Sequence, residues 1–245
     1  MTSPVNPADL FLQGWQNYRL ILEFDYLWHQ MAADTLERVV ANRSDHVGPF
    51  RFLDLACGDA ATTASVLSRI TASASKHTPS GIDYVGVDNS PMALAEAART
   101  TFRAGIKPGF VESDFVEFLR SGESRFDLIY VGMSAHHLGL ARLPEFFAGV
   151  RARLTPGGLF VAFETFCLPD EVRDEHLERL HAIIRKFWIR MPQAARDNVI
   201  AHTTECDFPV TLADWNAAAG KAGLNPGQFV MKTPDRISAM VVHEA

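Results

Sequence analysis

The stretch Phe50 to Ala60, Phe-Arg-Phe-Leu-Asp-Leu-Ala-Cys-Gly-Asp-Ala, constrains this chain more than any other. Its first half is a short apolar run with Asp54 set inside it, the pattern of a parallel strand buried on both faces. The run breaks at Cys57-Gly58 and passes into Ala60-Ala61-Thr62-Thr63-Ala64-Ser65-Val66-Leu67, which reads as a helix opening. A glycine without a side chain lets a ligand approach the backbone, and the free amides of a helix start favour an anionic group. Strand, glycine turn and helix together make a nucleotide-cofactor loop. The same turn also closes strand-to-helix connections that bind nothing, so a second signal is needed.

That signal is Asp83-Tyr84-Val85-Gly86-Val87-Asp88-Asn89-Ser90-Pro91. A second apolar strand ends in an acid, Ser90 suits an N-cap, and Pro91 fits the first helical position. Asp88 is then expected beside the first loop, where its carboxylate can accept hydrogen bonds from both hydroxyls of a ribose.

From these residues onward the chain resembles the class I S-adenosylmethionine-dependent methyltransferases of small-molecule type. Glu112-Ser113-Asp114-Phe115 is similar to the acidic stop that touches the adenine after the third strand. Phe126 to Val131, followed by Gly132-Met133-Ser134-Ala135-His136-His137-Leu138, resembles the fourth strand and its loop. Leu154-Thr155-Pro156-Gly157-Gly158-Leu159-Phe160-Val161 resembles the turn into the fifth strand. The four motifs stand in family order between residues 50 and 166. The resemblance implies an α/β, Rossmann-like doubly wound sheet of seven strands, mostly parallel, with a C-terminal antiparallel hairpin strand. It implies S-adenosyl-L-methionine as cofactor and S-adenosyl-L-homocysteine as product. The cofactor-binding positions it marks are Asp54, Ala56, Gly58, Ala60, Asp88, Asn89, Asp114, Phe115 and Met133. The family usually has a second glycine where this chain has Ala60, so negative φ is expected there, with slightly less room.

One domain of 245 residues is expected, since the length and the 47% apolar content suit one substantial core. Its parts are N-terminal lid helices (9–41), the cofactor-binding core (50–166), a helical substrate cap inserted after strand five (167–209) and a C-terminal helix with strands (210–245). Phe11, Trp15, Tyr18 and Leu22 recur at helical spacing, and a second helix is expected from Phe24 through Leu27, Trp28 and Met31 to Ala41. Most of these aromatics read as packing; Trp15, Tyr18 or Tyr26 could also shut water out, and Tyr18 and Arg19 are the polar lid candidates. Loose or looped segments are expected at 1–7, 42–48 and 71–81. Further helices are expected at Pro91–Ala104, Phe115–Leu119, Arg142–Leu154, Asp170–Arg190, Ala194–Ile200 and Thr211–Ala222. Short strands are expected at Phe110–Glu112, Leu159–Phe163, Gln228–Lys232 and Ile237–Val242.

A net charge of −6 and a pI near 5.8 give no general attraction to polyphosphate, so a small-molecule substrate is expected rather than nucleic acid. Arg185, Lys186, Arg190 and Arg196 on the cap could greet an acidic substrate, although solvated helix faces carry such charges commonly. Cys57, Cys167 and Cys206 are odd in number and show no CxxC spacing, which suits free thiols in a reducing cytoplasm. The first residues lack the pattern of a signal peptide, and no run reaches the roughly 20 apolar residues of a membrane helix.

The chemistry centres on His136 and His137, because imidazole titrates near neutrality and the pair follows strand four at the cofactor's reactive end. His136 is expected to face the methyl acceptor, with Glu164 and His202 as further polar candidates. Adjacent histidines on a helix are expected to diverge, which argues against a metal site. Three other readings stay open. A nicotinamide oxidoreductase would normally show Gly-x-Gly-x-x-Gly where this chain has Gly58, Ala60 and Thr63. A protein of the same fold could bind the cofactor without methylating anything. A nucleic-acid methyltransferase lacks support from charge and from any Asp/Asn-Pro-Pro-Tyr motif.

Overall fold

The computed structural model describes residues 7–42, 48–72 and 81–245, excepting the side chains of 7–13 and Trp15. The expected tail, most of both expected loops, and the Phe11 and Trp15 side chains therefore lie outside the described residues. Helices α1 (Pro7–Glu23) and α2 (His29–Ala41) lead to β1 (Phe50–Leu55), α3 (Ala61–Ala72), β2 (Ile82–Asp88), α4 (Pro91–Ala97) and β3 (Ile106–Glu112). The chain continues through α5 (Phe115–Ser121), β4 (Phe126–Gly132), a 3₁₀ turn at Ala135–Leu138, α6 (Gly139–Arg153) and β5 (Leu154–Cys167). It ends with α7 (Arg173–Phe187), α8 (Gln193–Cys206), β6 (Val210–Thr211), α9 (Leu212–Lys221), β7 (Gln228–Lys232) and β8 (Ser238–Glu244).

The sheet runs β3-β2-β1-β4-β5-β8-β7, the seven strands expected, and the two-residue β6 adds an eighth, paired separately to β5. The strands from β3 to β5 are parallel, and β8 and β7 close it antiparallel. Strand order reverses between β1 and β4, which opens a crevice at the carboxyl ends there.

Side-chain alternation sorts β1 onto two cores. Leu53 and Leu55 join Phe146, Phe147, Phe160 and Trp215 on the face covered by α5, α6 and α9. Phe50 and Phe52 join Leu36, Val40, Leu67 and Tyr84 on the face covered by α2 and α3. A third cluster stands off the sheet and ties α1 to α7 and α8 through Ile21, Ile184, Trp188 and Val199. Each fully buried Leu or Phe in these cores contributes about 1.5–3 kcal/mol.

Several boundaries differ from expectation for local reasons. β3 starts at Ile106, because the edge of a sheet tolerates Pro108 and Gly109. α4 stops at Ala97, and α2 begins only at His29, after left-handed residues at Asp25 and Trp28. β5 spans Leu154–Cys167, pairing early with Phe126 and late with β6. α7 is shorter than Asp170–Arg190, whereas α8 runs to Cys206 and takes His202 into a helix.

Candidate active site

A cavity of about 790 Å³ opens over the carboxyl ends of β1, β2, β4 and β5, beneath α1, α7 and α8. Asp88, Asn89, Ser113 and Phe115 line one end, and His136, His137, His202 and Asp207 the other. A recess of about 80 Å³ adjoins it, walled by Asp54, Asp59, Thr62 and Thr63; both spaces share Tyr18, Ala56, Gly58, Gly132 and Met133.

The loop between β1 and α3 has a left-handed backbone at Ala56 (φ 54°), Gly58 (φ 57°) and Ala60 (φ 57°). The expectation of negative φ at Ala60 is thus incorrect: the turn imposes the glycine conformation on an alanine. Such a position costs an L-residue roughly 1–2 kcal/mol. Ala60 is buried in the core rather than on the cavity wall. Met133, at the end of β4, is left-handed too (φ 53°) and faces the cavity. Non-glycine strain of this kind collects at functional sites.

Asp88 anchors the loop. Its Oδ2 accepts the Gly58 N–H at 2.9 Å and its Oδ1 the Ser90 N–H at 2.9 Å. Asp54 lies deeper, only 3% exposed, and accepts the Tyr84 hydroxyl at 2.8 Å. Burial pushes its carboxyl up to about 7, against the lowering effect of hydrogen bonds from Thr63 and Tyr84.

At the other end, the 3₁₀ turn hangs from Glu164 on β5. Glu164 Oε1 accepts the N–H groups of Ser134 (3.0 Å) and Ala135 (2.8 Å), and its Oε2 accepts His136 Nδ1–H at 2.6 Å. In the neutral ring this bond fixes the tautomer whose Nε2, 3.6 Å from Asp207 Oδ1, carries no proton. Burial pulls the imidazole pKa down, but the Glu164 charge and hydrogen bond and the Asp207 charge outweigh it, so the net shift is upward. His137 lies beside it, ring centroids 4.2 Å apart, and donates Nδ1–H to the Cys206 carbonyl at 2.9 Å. Its pKa falls through burial and the neighbouring His136.

Residues 53–160 match the family model of the methyltransferase domain. Over those residues the chain is similar to that family. The fold is similar to magnesium protoporphyrin IX methyltransferase from Synechocystis PCC 6803, solved with bound SAH, at 13% identity and TM-score 0.63; 94% of this chain and 93% of that one are covered. It is similar to human N-acetylserotonin methyltransferase in complex with SAM at 16% identity and TM-score 0.53, covering 89% of this chain and 54% of that one. The cyclopropane synthase MmaA2 from Mycobacterium tuberculosis gives 15% identity and TM-score 0.53, with 80% and 61% covered. The chain thus spans little more than half the length of the last two. No curated protein matches it.

Several expected site residues sit elsewhere than anticipated. Asp114 caps α5, its Oδ1 accepting the N–H groups of Val116 (2.9 Å) and Glu117 (3.0 Å), and its neighbours Ser113 and Phe115 line the cavity instead. Glu164 is 1% exposed behind His136, so it supports that ring rather than a substrate. Tyr18 lines both spaces, its hydroxyl 3.2 Å from His29 Nε2, whereas Arg19 is exposed outside them. Tyr26, between α1 and α2, stacks on Trp188 at the end of α7, ring centroids 4.8 Å apart. Among the cap cations, Arg196 donates to the carbonyls of Trp188 and Met191 and Arg190 covers the Phe24 ring; none of the four lines the cavity.

The two histidines converge rather than diverge, because a 3₁₀ turn places them differently from an α-helix. His136, His137 and Asp207 bring ligand-type atoms within 4.8 Å, as do Cys167, Glu171 and His176. In the second group Glu171 accepts from Arg179 at 2.7 Å and His176 Nε2 meets the Thr165 hydroxyl at 2.8 Å, a structural network. Sequence reasoning did not single out Asp207, because only the pairing of β6 with β5 and the length of α8 deliver it to the histidines.

Proposed function

We propose that this domain moves the methyl group of S-adenosylmethionine onto a small-molecule acceptor held between the core, α1 and the α7–α8 cap. The observation that carries this reading is a cavity continuous from the Asp88–Gly58 corner to the His136–Glu164 pair. Its donor set fits the cofactor: Asp88 for the ribose, Phe115 and Ser113 for the adenine, and Asp54, Gly58 and Asp59 for the amino-acid end. When bound, the cofactor supplies a methyl group already activated on a sulfonium. The protein then has to orient the acceptor and, for a proton-bearing nucleophile, remove the proton. His136 Nε2 is the group placed to take it, with Glu164 holding the ring and stabilising the imidazolium. Free thiols at all three cysteines suit work in a reducing compartment such as the cytoplasm. Among the described residues no helix is long and apolar enough to cross a membrane.

Incubation with methyl-labelled cofactor and a cell extract, followed by identification of the labelled product, tests the activity. Retention of unreacted cofactor across a broad acceptor panel would instead favour a non-methylating binding protein. His136→Ala is expected to lower turnover by roughly 10²- to 10⁴-fold with cofactor affinity nearly intact. Full activity in that variant would remove His136 from the mechanism.

A further inference from the structure

The acceptor end of the cavity has an unbalanced charge. Glu205 and Asp207 line it, Glu164 stands directly behind His136, and among the described residues no lysine or arginine lines the cavity. Asp207 is 5% exposed, and its Oδ1 has no hydrogen-bond partner, lying 3.6 Å from His136 Nε2 and 3.4 Å from His137 Nδ1. A buried carboxylate without a cation is costly, and its field in a partly dehydrated cavity reaches several ångströms. Ile21, Leu27, Leu180, Trp188, Val199 and Ile237 supply an apolar stretch of wall, beside neutral polar residues such as Asn17, Thr165 and Asn198.

From this wall we infer that the methyl acceptor is an amine on an apolar body, entering as an ammonium. The inference rests on the methyl-transfer reading and names its substrate class. Carboxylates at Asp207 and Glu205 attract an ammonium and repel an anionic acceptor. The chemistry points the same way. A hydroxyl acceptor would pass toward an oxyanion amid like charges, whereas an ammonium that yields its proton to His136 Nε2 becomes a neutral amine with a free lone pair. The imidazole gains the positive charge that the amine loses, so the site's net charge is unchanged. The cap cations, outside the cavity, leave this selection unopposed.

Three probes of similar shape test it: phenethylamine, 2-phenylethanol and phenylacetate, each titrated calorimetrically into the full chain saturated with S-adenosylhomocysteine. Phenethylamine is expected to bind at least about tenfold more tightly than the alcohol, and phenylacetate least of all. Asp207→Asn is expected to weaken the amine by about tenfold to a hundredfold, and the exposed Glu205→Gln by less, with S-adenosylhomocysteine affinity unchanged in both. Equal or tighter binding of the alcohol or the carboxylate overturns the inference, as does failure of the amine to bind. Amine affinity unchanged in both variants would overturn it too. If S-adenosylhomocysteine itself fails to bind, the methyl-transfer reading falls with it; if only the amine preference fails, that reading stands.

Discussion

At Asp54 a carboxyl group sits inside a strand buried on both faces, and the strand's own alternation explains its direction: it follows Phe50 and Phe52 toward the α2–α3 face, where Tyr84 meets it. Its folded pKa, about 7, lies above that of the unfolded chain, so the folded state holds the extra proton between roughly pH 4 and 7. Stability from this group is therefore greatest at low pH and declines as pH rises through that window. Urea unfolding of the ligand-free protein should show this decline, and Asp54→Asn should flatten it; an unchanged slope would mean that Asp54 titrates normally. The same variant should bind cofactor more weakly, because it removes the negative charge offered to the ligand's amino group. Asp88 ends its strand with both oxygens already accepting backbone N–H groups. Asp88→Ala should weaken cofactor binding by about 1.5–3 kcal/mol per charged hydrogen bond lost, measured by calorimetry, while Asp88→Asn keeps one acceptor and should lose less. Both acids were legible because a charge inside or at the end of an apolar run has few explanations. The roles of Glu164 and Asp207 were not, since each depends on a partner far away in sequence.

Among the elements, β2 shows how closely the cofactor loop is fitted to the sheet. A Cβ added at Gly86 would come within 2.8 Å of Cys57 Sγ and 3.0 Å of Phe110, so the strand passes directly beneath the loop. Gly86→Ala should cost about 1–3 kcal/mol by overpacking and also weaken cofactor binding, because relief requires Cys57 and its left-handed neighbours to move. Parallel loss of urea stability and cofactor affinity would support this; a stability loss without an affinity change would place the strain elsewhere. Element identity was read well where caps and apolar runs are local, as at Ser90, whose Oγ accepts the Ala93 N–H at 3.1 Å. Boundaries were misread where tertiary pairing overrides local signals. The early start of β5 depends on Phe126, and its late end on Val210 and Thr211.

Taken whole, the molecule surrounds its cavity with parts held unequally. The sheet floor belongs to two continuous cores, whereas α1, α7 and α8 are joined through the third, smaller cluster and a few polar ties nearby, including Arg190 N–H to the Tyr26 hydroxyl at 3.0 Å. Segments with less buried support open at lower free-energy cost than the cores. A ligand filling the space between core and cap adds up to about 2.7 kcal/mol at a hundred times its Kd, and this accrues to openings that release it. Hydrogen exchange of the ligand-free protein should therefore be faster in α1 and α8 than in the core strands β1 and β4, and S-adenosylhomocysteine at a hundred times its Kd should slow α1 and α8 by up to about a hundredfold. Equal protection of α1, α8 and the core strands without ligand would mean that these helices open only with the whole fold. No slowing in α1 would mean that this helix does not close over the cofactor, and that the walls holding the acceptor come from the cap alone.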